Sequence, residues 1–500
     1  MLKNRFEVDN ITWNDLSLED IYSRLNSCAT SAGDDFLYNS LKRPYIESCD
    51  AFDKQQRLFK EAKGFTNNSQ LKRALAITGK IKNYSFLDEI QKFSDTKEES
   101  NIKHYIIDAL VILSFLLIFV FPGPGMVAFF IMIAYSVSAY FKTKNIIAGK
   151  LAVFNYIVRM IKAFSTKINI DAEKAPVLAE KINRLNQIAL KYRSFTRGTF
   201  IISEGAKTNS NPISLVFDYT RMIFHIDVIK YNSMVSFLKD NIDEAKEFYD
   251  IIGEIDTAIC INGIKDSDGL FIETTCDPEF VDSKAYINAS NIYHPLVEKS
   301  VKNSINTEKN VLITGCNASG KSTFLKIVAI NAIFAQGLGI CFADSYKAPF
   351  FKIYSSMALK DDINASESYF MSEIKSLKRI IDAEGTILCV IDEVLRGTNT
   401  VERIAASVEI LKSLCRENTL CFVATHDIEL TEILSNFYEN YHFTEEILEN
   451  DVKFSYEIQK GPANSRNAIR LLSVLGYDEN IVKNASFRAD EFLKNGAWSQ

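Results

Sequence analysis

Thirty-three consecutive residues, from Ala109 to Phe141, contain no Asp, Glu, Lys, Arg or His. The segment Pro122-Gly123-Pro124-Gly125 divides this stretch into two apolar arms of about 16 residues, each roughly 24 Å long as an α-helix. Residues Tyr105 to Ile107 can lengthen the first arm, and lysines that follow the second can reach toward the interface, so both approach the roughly 30 Å hydrocarbon core of a bilayer. We therefore predict a transmembrane helical hairpin over residues 105–141.

Two buried helices of a soluble core are the alternative to this hairpin. A core helix rarely lacks a polar face altogether, and here two such helices follow each other, which favours the membrane. Segment 142–203, which follows the hairpin, holds twelve Lys and Arg but three acids, a balance of +9. Because cationic flanks stay on the cytoplasmic side, we expect both ends of the hairpin, and the domains joined to them, to face the cytoplasm.

The basic segment 142–203 is expected to contact anionic membrane lipid, although nucleic-acid phosphate or plain solvent would also suit it. Residues 204–300 have the opposite character, with eight basic and seventeen acidic residues, and a helical pattern runs from Ile213 to Ile259. The overall net charge of −6 is therefore a sum of unlike parts. It excludes a uniformly basic protein that coats nucleic acid.

A phosphate-binding loop is predicted after the short apolar strand Val311–Thr314. The next residues have the spacing G-x-x-x-x-G-K-S and precede an apolar helix, which is the strand–loop–helix context that such a loop requires. Backbone amides and the helix N-terminus would surround phosphate oxygens, Lys321 would reach the β- and γ-phosphates, and the Ser322 hydroxyl would bind Mg²⁺. The expected nucleotide-binding residues are Gly315, Cys316, Asn317, Ala318, Ser319, Gly320, Lys321, Ser322 and Thr323.

Two further apolar strands end in polar residues. Ile387–Ile391 is followed by Asp392 and Glu393, and Leu420–Ala424 is followed by Thr425 and His426. Asp392 can hold Mg²⁺ together with the loop serine, Glu393 can polarise an attacking water, and His426 can sense that water or the γ-phosphate. With Lys321, Glu393 and His426 as catalytic residues, we predict hydrolysis of ATP with Mg²⁺; solvated acids and a structural histidine are the alternatives.

The order of these motifs resembles the MutS family of DNA mismatch-repair ATPases. Besides the loop Gly315–Thr323, the motifs that carry the resemblance are Tyr293–Glu298, similar to the family's His-Pro entry into the ATPase domain, Ser368–Glu373, similar to S-T-F-M-x-E, Asp392–Thr400, similar to D-E-I-G-R-G-T-S-T, and Ala424–Leu430, similar to A-T-H-x-x-E-L. Residues 36–59 and 254–256 look like the ends of the family's helical core domain, and 464–494 like its interlocking C-terminal helices.

The resemblance implies an α/β P-loop ATPase of the ABC type, like MutS domain V, preceded by an all-α lever and core domain that contains the transmembrane hairpin. It implies a homodimer in which Ser368 reaches the γ-phosphate bound by the partner subunit, and DNA as a possible partner. Cys316, Leu395 and Asn399 depart from the family's Pro, Gly and Ser, but none is a phosphate or metal ligand. The residues before the ATPase domain leave no room for the family's mismatch-reading domains, so the resemblance does not by itself extend to mismatch recognition.

These interpretations divide the chain into five parts and lead to one main functional hypothesis with two rivals. The main hypothesis is a membrane-anchored dimer in which ATP binding and hydrolysis drive a conformational switch that acts on DNA. The expected parts are a helical N-terminal part of the core domain (1–104), the hairpin (105–141), a helical lever and core region (142–285), the ATPase domain (286–463) and a C-terminal dimerisation segment (464–500). The first rival is a membrane-bound, ATP-dependent adaptor that serves an unknown protein partner and never binds DNA. The second, half of an ABC-type transporter, is disfavoured because the chain has a single hairpin and no L-S-G-G-Q segment.

Overall fold

The computed structural model describes residues 4–94, 100–193, 212–265, 275–282, 284–316, 318–357, 369–396, 399–447, 452–463, 469, 472 and 476–495. The helices are α1 Asn10–Asp15, α2 Leu18–Leu25, α3 Ser31–Lys42, α4 Asp50–Ala62, α5 Ser69–Thr78, α6 Phe86–Ser94, α7 Ile102–Val120, α8 Pro122–Phe164, α9 Pro176–Lys191, α10 Pro212–Ile223, α11 Ile226–Asp240, α12 Ile242–Lys265, α13 Lys321–Leu338, α14 Tyr369–Ile381, α15 Thr400–Ser413, α16 Glu429–Ile433 and α17 Glu479–Asn495. The strands are β1 Glu279–Phe280, β2 Ile287–Ile292, β3 Asn303–Thr307, β4 Asn310–Thr314, β5 Ser345–Ala348, β6 Lys352–Ser356, β7 Ile387–Asp392, β8 Thr419–Ala424, β9 Tyr438–Ile447 and β10 Val452–Lys460.

The chain forms two compact units. Unit 1 comprises Met1–Leu25, Tyr38–Gln56 and Ile264–Gln500, and unit 2 comprises Asn26–Leu37 and Arg57–Gly263. This division differs from the one expected from sequence, which placed all of residues 1–104 in a helical core. In unit 1 the Ser355 hydroxyl on β6 donates to the carboxylate of Asp15 at 2.6 Å, and the Gln336 amide on α13 donates to the Tyr45 carbonyl at 2.7 Å.

A six-stranded sheet organises unit 1. Its strand order is β10-β9-β4-β8-β7-β6, with β9 and β10 antiparallel and the other neighbours parallel. All residues of β4 and β8 are buried, as expected for apolar strands covered on both faces. The parallel pairing places the carboxyl ends of β4, β7 and β8 at one edge of the sheet, and each of the three polar segments predicted above follows one of these ends. A smaller sheet of order β1-β5-β2-β3 belongs to the same unit.

Unit 2 is helical in its described residues, and an ion-pair ladder joins α9 to α12. Arg184 donates to the Glu247 carboxylate from Nε at 2.7 Å and from Nη2 at 2.6 Å. Lys191 donates to Glu244 at 2.8 Å, and Lys181 pairs with Glu254. Successive residues along α9 pair with glutamates that lie progressively earlier in α12, so the two helices run antiparallel. The basic and acidic segments of the sequence therefore neutralise each other along this contact.

The apolar stretch forms two consecutive helices, α7 and α8. The windows Ile102–Val120 and Pro122–Lys144 have mean hydropathies of 2.0 and 1.6, and 22% and 17% of each is buried. Large apolar side chains are open to the surroundings, including Phe119 at 73% exposure and Phe130 at 68%. Such helices are long and apolar enough to cross a membrane, but length and composition alone do not distinguish a span from other apolar helices. The second helix does not end near Phe141; it continues to Phe164 and buries Phe154, Ile157 and Ile161 in unit 2.

The helical pattern expected between Ile213 and Ile259 is broken into α10, α11 and α12. The first break lies at His225, whose φ of 45° ends α10 before α11 begins. This fully buried histidine accounts for the break: its Nε2 donates to the Ser136 carbonyl on α8 at 2.9 Å, and its Nδ1 lies 2.8 Å from Nδ1 of His104 on α7. Tyr140 of α8 also donates to Asp227 at 2.7 Å, so a buried polar cluster ties both apolar helices to this turn.

Candidate functional site

Two glycines of the loop between β4 and α13 have unusual backbone conformations. Gly315 and Gly320 have φ values of 144° and 109°, which L side chains rarely adopt. A Cβ atom on Gly320 would lie 3.2 Å from Cδ1 of Tyr456, and one on Gly315 would lie 3.0 Å from the Phe443 carbonyl oxygen. The backbone conformation therefore favours glycine at both positions, and the close Phe443 carbonyl oxygen also favours it at Gly315. Because α13 begins directly after the loop, its unpaired amides point toward the same region.

Lys321 and Ser322 open α13 and face the carboxyl ends of the neighbouring strands. The Lys321 ammonium donates to the carbonyl oxygens of Gly315 and Cys316 at 2.7 and 2.8 Å, and so folds over its own loop. The Ser322 hydroxyl donates to the Asp392 carboxylate at 2.6 Å. A hydroxyl and a carboxylate so close are hard oxygen ligands that suit Mg²⁺, so these two residues fit the predicted metal position.

Glu393 lies at the centre of a charged cluster. Its Oε1 is 3.2 Å from Nε2 of His426, and its Oε2 is 2.7 Å from Nε of Arg396. The hydrogen bond from His426, together with the charges of Arg396 and Lys321, holds the pKa of Glu393 below its usual value, against the opposing effect of burial. Glu393 is therefore a carboxylate at neutral pH. Because both of its oxygens are engaged, one must be released before it can orient a water.

Most of the predicted site residues line one cavity of about 530 Å³. Its lining comprises Cys316, Ala318, Ser319, Gly320, Lys321, Ser322, Thr323, Asp392, Glu393, Arg396, His426 and Tyr456. Gly315 lies beneath this lining, where its carbonyl binds Lys321. Two predicted residues, Asn317 and Ser368, lie outside the described residues.

Arg396 and Tyr456 are lining residues that the sequence-based assignment of roles did not include. Arg396 belongs to a quoted motif, so its position next to Asp392 and Glu393 could have indicated a role. Tyr456 carries no such signal, because it lies on β10, more than 130 residues beyond the loop. Its φ is 55° at a register shift between β9 and β10, and Asn303 fixes it by donating to the Tyr456 carbonyl at 3.0 Å.

A second cavity of about 350 Å³ adjoins the first. Gly320, Thr323 and Tyr456 line both cavities, and the apolar side chains of Val297, Val301, Phe324, Ile327 and Phe443 contribute to the second. The site is therefore bipartite, with a polar compartment at the loop and a more apolar compartment beside it. Nearby His294 is buried, which lowers its pKa to about 4 and keeps it neutral.

Residues 311–493 match the family model of MutS domain V. The chain is also 32% identical over 226 residues to a DNA mismatch repair protein MutS of Natronomonas pharaonis, and 28% identical over 292 residues to one of Clostridium botulinum. This part of the chain is therefore similar to MutS domain V. The motifs Gly315–Thr323, Ser368–Glu373, Asp392–Thr400 and Ala424–Leu430 lie within the matched residues, and Tyr293–Glu298 precedes them.

The matches cover only part of this chain and a smaller part of each relative. The alignment with the Natronomonas protein covers 41% of this chain and 26% of that protein, and the Clostridium alignment covers 55% and 30%. The chain therefore spans about 30% of the length of these relatives.

Leu395 stands where the family motif has Gly. Its φ is 58°, in the left-handed region that favours glycine.

Proposed function

We propose that the chain is a membrane-anchored MutS-family ATPase in which ATP binding and hydrolysis drive a conformational switch of a dimer that acts on DNA. One observation carries the ATPase part of the proposal. Lys321, Ser322, Asp392, Glu393 and His426 come from three separate segments and line one cavity at the carboxyl ends of three strands. Triphosphate hydrolysis needs this set of positioned charge, metal ligands and an oriented water.

Each residue has a distinct task in this proposal. Loop amides and Lys321 bind the triphosphate, and the ammonium exchanges the carbonyls of Gly315 and Cys316 for phosphate oxygens. Ser322 and Asp392 would hold Mg²⁺, which supplies positive charge to the phosphates when bound. Glu393 orients the water after releasing Arg396 or His426. The adjoining cavity of about 350 Å³ takes the nucleoside, with Tyr456 between the two compartments.

Mutation of the loop lysine and of the central glutamate tests the ATPase proposal. Lys321→Ala removes the phosphate contact, so we expect it to abolish steady-state hydrolysis. Glu393→Ala removes the carboxylate that orients water, so we expect it to retain ATP binding and leave only a slow residual hydrolysis. Lys412→Ala and Glu402→Ala are matched controls, because both side chains belong to α15 and lie outside the cavity lining. Unchanged hydrolysis in both cavity variants would contradict the assignment of this cavity as the ATPase site.

The membrane part of the proposal rests on the exposed apolar surface of α7 and α8. Aromatic and aliphatic side chains cover both helices and are mostly exposed, and soluble proteins rarely leave such a continuous surface open. We propose that residues 105–141 span the bilayer with the ATPase domain in the cytoplasm. Lys142, directly after this segment, is exposed and would contact anionic lipid at the membrane surface.

The dimer and DNA parts of the proposal rest on the family relationship. The relatives' names associate them with DNA mismatch repair. Helix α17 exposes Ile481 and Phe487 at 52% and 61%, which suits a contact with a second subunit. Sedimentation of the purified chain with and without a non-hydrolysable ATP analogue tests the dimer; a monomer under both conditions would contradict it.

A membrane-bound adaptor that does not bind DNA is the second candidate, and the ion-pair ladder favours it. Lys181, Arg184 and Lys191 each pair with a glutamate of α12, so these cations are already neutralised. A DNA titration at several salt concentrations separates the candidates. Phosphate contacts predict affinity that falls steeply with salt, whereas the adaptor predicts no binding even at low salt.

A further inference from the structure

The turn that carries Glu393 is strained. Glu393 and Leu395 have φ values of 63° and 58°, so two non-glycine residues in three adopt the left-handed conformation. Such residues keep this conformation only where surrounding contacts hold them. The Glu393 amide donates to the Ala424 carbonyl at 2.9 Å, which fixes the start of the turn on β8.

Glu373 of α14 holds the far side of the same turn. Its Oε1 accepts a hydrogen bond from the Arg396 amide at 3.2 Å, and its carboxylate also accepts one from the Leu395 amide. The side chain is 8% exposed. Burial raises the pKa of Glu373, while the two amide hydrogen bonds act in the opposite direction. A buried carboxyl group is therefore placed where two consecutive backbone amides require an acceptor.

The arrangement connects α14 to the centre of the active site. Glu373 binds the amide of Arg396, and the guanidinium of the same residue contacts the catalytic turn. Its Nε lies 2.7 Å from Oε2 of Glu393, and its Nη2 donates to the Asp392 carbonyl at 3.0 Å. Without this acceptor the turn would lose the hydrogen bonds that Glu373 provides to its backbone, and the strained conformation would relax. That relaxation would displace Glu393, the group that must orient water.

We propose that Glu373 is a positioning residue that sets the orientation of Glu393 through the amides of Leu395 and Arg396; this rests on the proposed ATPase function. Its task is that of a hydrogen-bond acceptor, for which no charge is required. Ground-state binding of the nucleotide should not depend on it, since it does not line the cavity.

Kinetics of three substitutions of Glu373 in the full chain test the proposal. Glu373→Ala should lower kcat by about 10- to 100-fold with KM within about two-fold of wild type, because small misplacements of a catalytic group cost about this much. Glu373→Gln keeps a carbonyl acceptor and should retain kcat within about three-fold. Glu373→Asp withdraws the acceptor by one methylene and should lie between them. Asp382→Ala, an exposed acid directly after α14, is the matched control.

A combined variant separates positioning from general loss of structure. If Glu373 acts through Glu393, adding Glu373→Ala to Glu393→Ala should cause no further loss of single-turnover rate. Additive losses would overturn the proposal, as would equal losses in Glu373→Gln and Glu373→Ala with unchanged thermal unfolding. If Glu373→Ala does not fold, the Asp variant decides, and wild-type kcat there would overturn the proposal. Failure of the ATPase function itself is distinguishable, because wild-type protein would then show no hydrolysis that Lys321→Ala removes.

Discussion

Replacement of Gly320 by alanine is a quantitative test of the loop geometry. The residue has φ 109° and ψ 2°, and an added Cβ would lie 3.2 Å from Cδ1 of Tyr456. Holding an alanine at this positive φ should cost about 1–2 kcal/mol of conformational free energy. The steric term should be smaller, because Tyr456 is 43% exposed and its ring can move. Bound phosphate would hold the loop in this conformation, so the cost is expected to appear in ATP binding, where about 2 kcal/mol corresponds to roughly 30-fold weaker affinity.

A fluorescence titration with an ATP analogue measures this loss of affinity. Gly64→Ala is the matched control, because Gly64 lies in unit 2 with no atom within 4 Å of an added Cβ. Because Tyr456 also lines the cavity, the double variant with Tyr456→Ala is compared with Tyr456→Ala alone, and Gly320→Ala should weaken ATP binding in that background by no less than about one third of its effect in the wild type. Wild-type affinity in Gly320→Ala, or no effect of Gly320→Ala in the Tyr456→Ala background, would refute the argument that backbone strain dominates.

Three further predictions concern charge and membrane contact. A double-mutant cycle on Arg184 and Glu247 should give a coupling of about 0.5–1 kcal/mol in thermal unfolding, falling with salt, because both side chains are partly exposed; zero coupling at low salt would contradict it. The pKa of Glu393 is lowered mainly by His426, so the acid limb of the ATPase pH profile should lie below the ordinary glutamate range and move to higher pH in His426→Ala; an unmoved limb would disprove that cause. Intact chain should fractionate with membranes and a deletion of 105–141 should not; soluble intact chain would rule out the anchor.

The chemistry of the site could be predicted from sequence because it depends on local spacing. The predicted strands Val311–Thr314, Ile387–Ile391 and Leu420–Ala424 correspond to β4, β7 and β8, and parallel pairing brings their polar ends together. Residues that reach the site from distant chain segments could not be predicted in this way. Tyr456 arrives through an irregularity in the β9–β10 pairing, and no sequence pattern fixes the register of that pairing.

Long-range pairing also limited what could be predicted about the helical part. The sequence separates basic from acidic residues, but only the packing of α9 against α12 shows that Arg184 meets Glu247. The break at His225 was equally hidden, because the histidine is satisfied by Ser136 and His104, roughly 90 to 120 residues earlier. Helical periodicity therefore predicted that helices exist here, and not where they turn.

Helix α8 has a mechanical consequence for how copies of the chain would meet. It is a single helix of 43 residues, about 64 Å long, that is apolar and exposed toward its start and packed into unit 2 toward its end. With the first half of α8 in a bilayer, the continuous helix would hold unit 2 at a fixed distance from the membrane. Every copy would then hold unit 2 at a similar tilt and height, and encounters would be confined to a plane. Part of the translational and rotational entropy that association normally costs would already be lost before two copies touch. Weak contacts between subunits could then suffice for assembly.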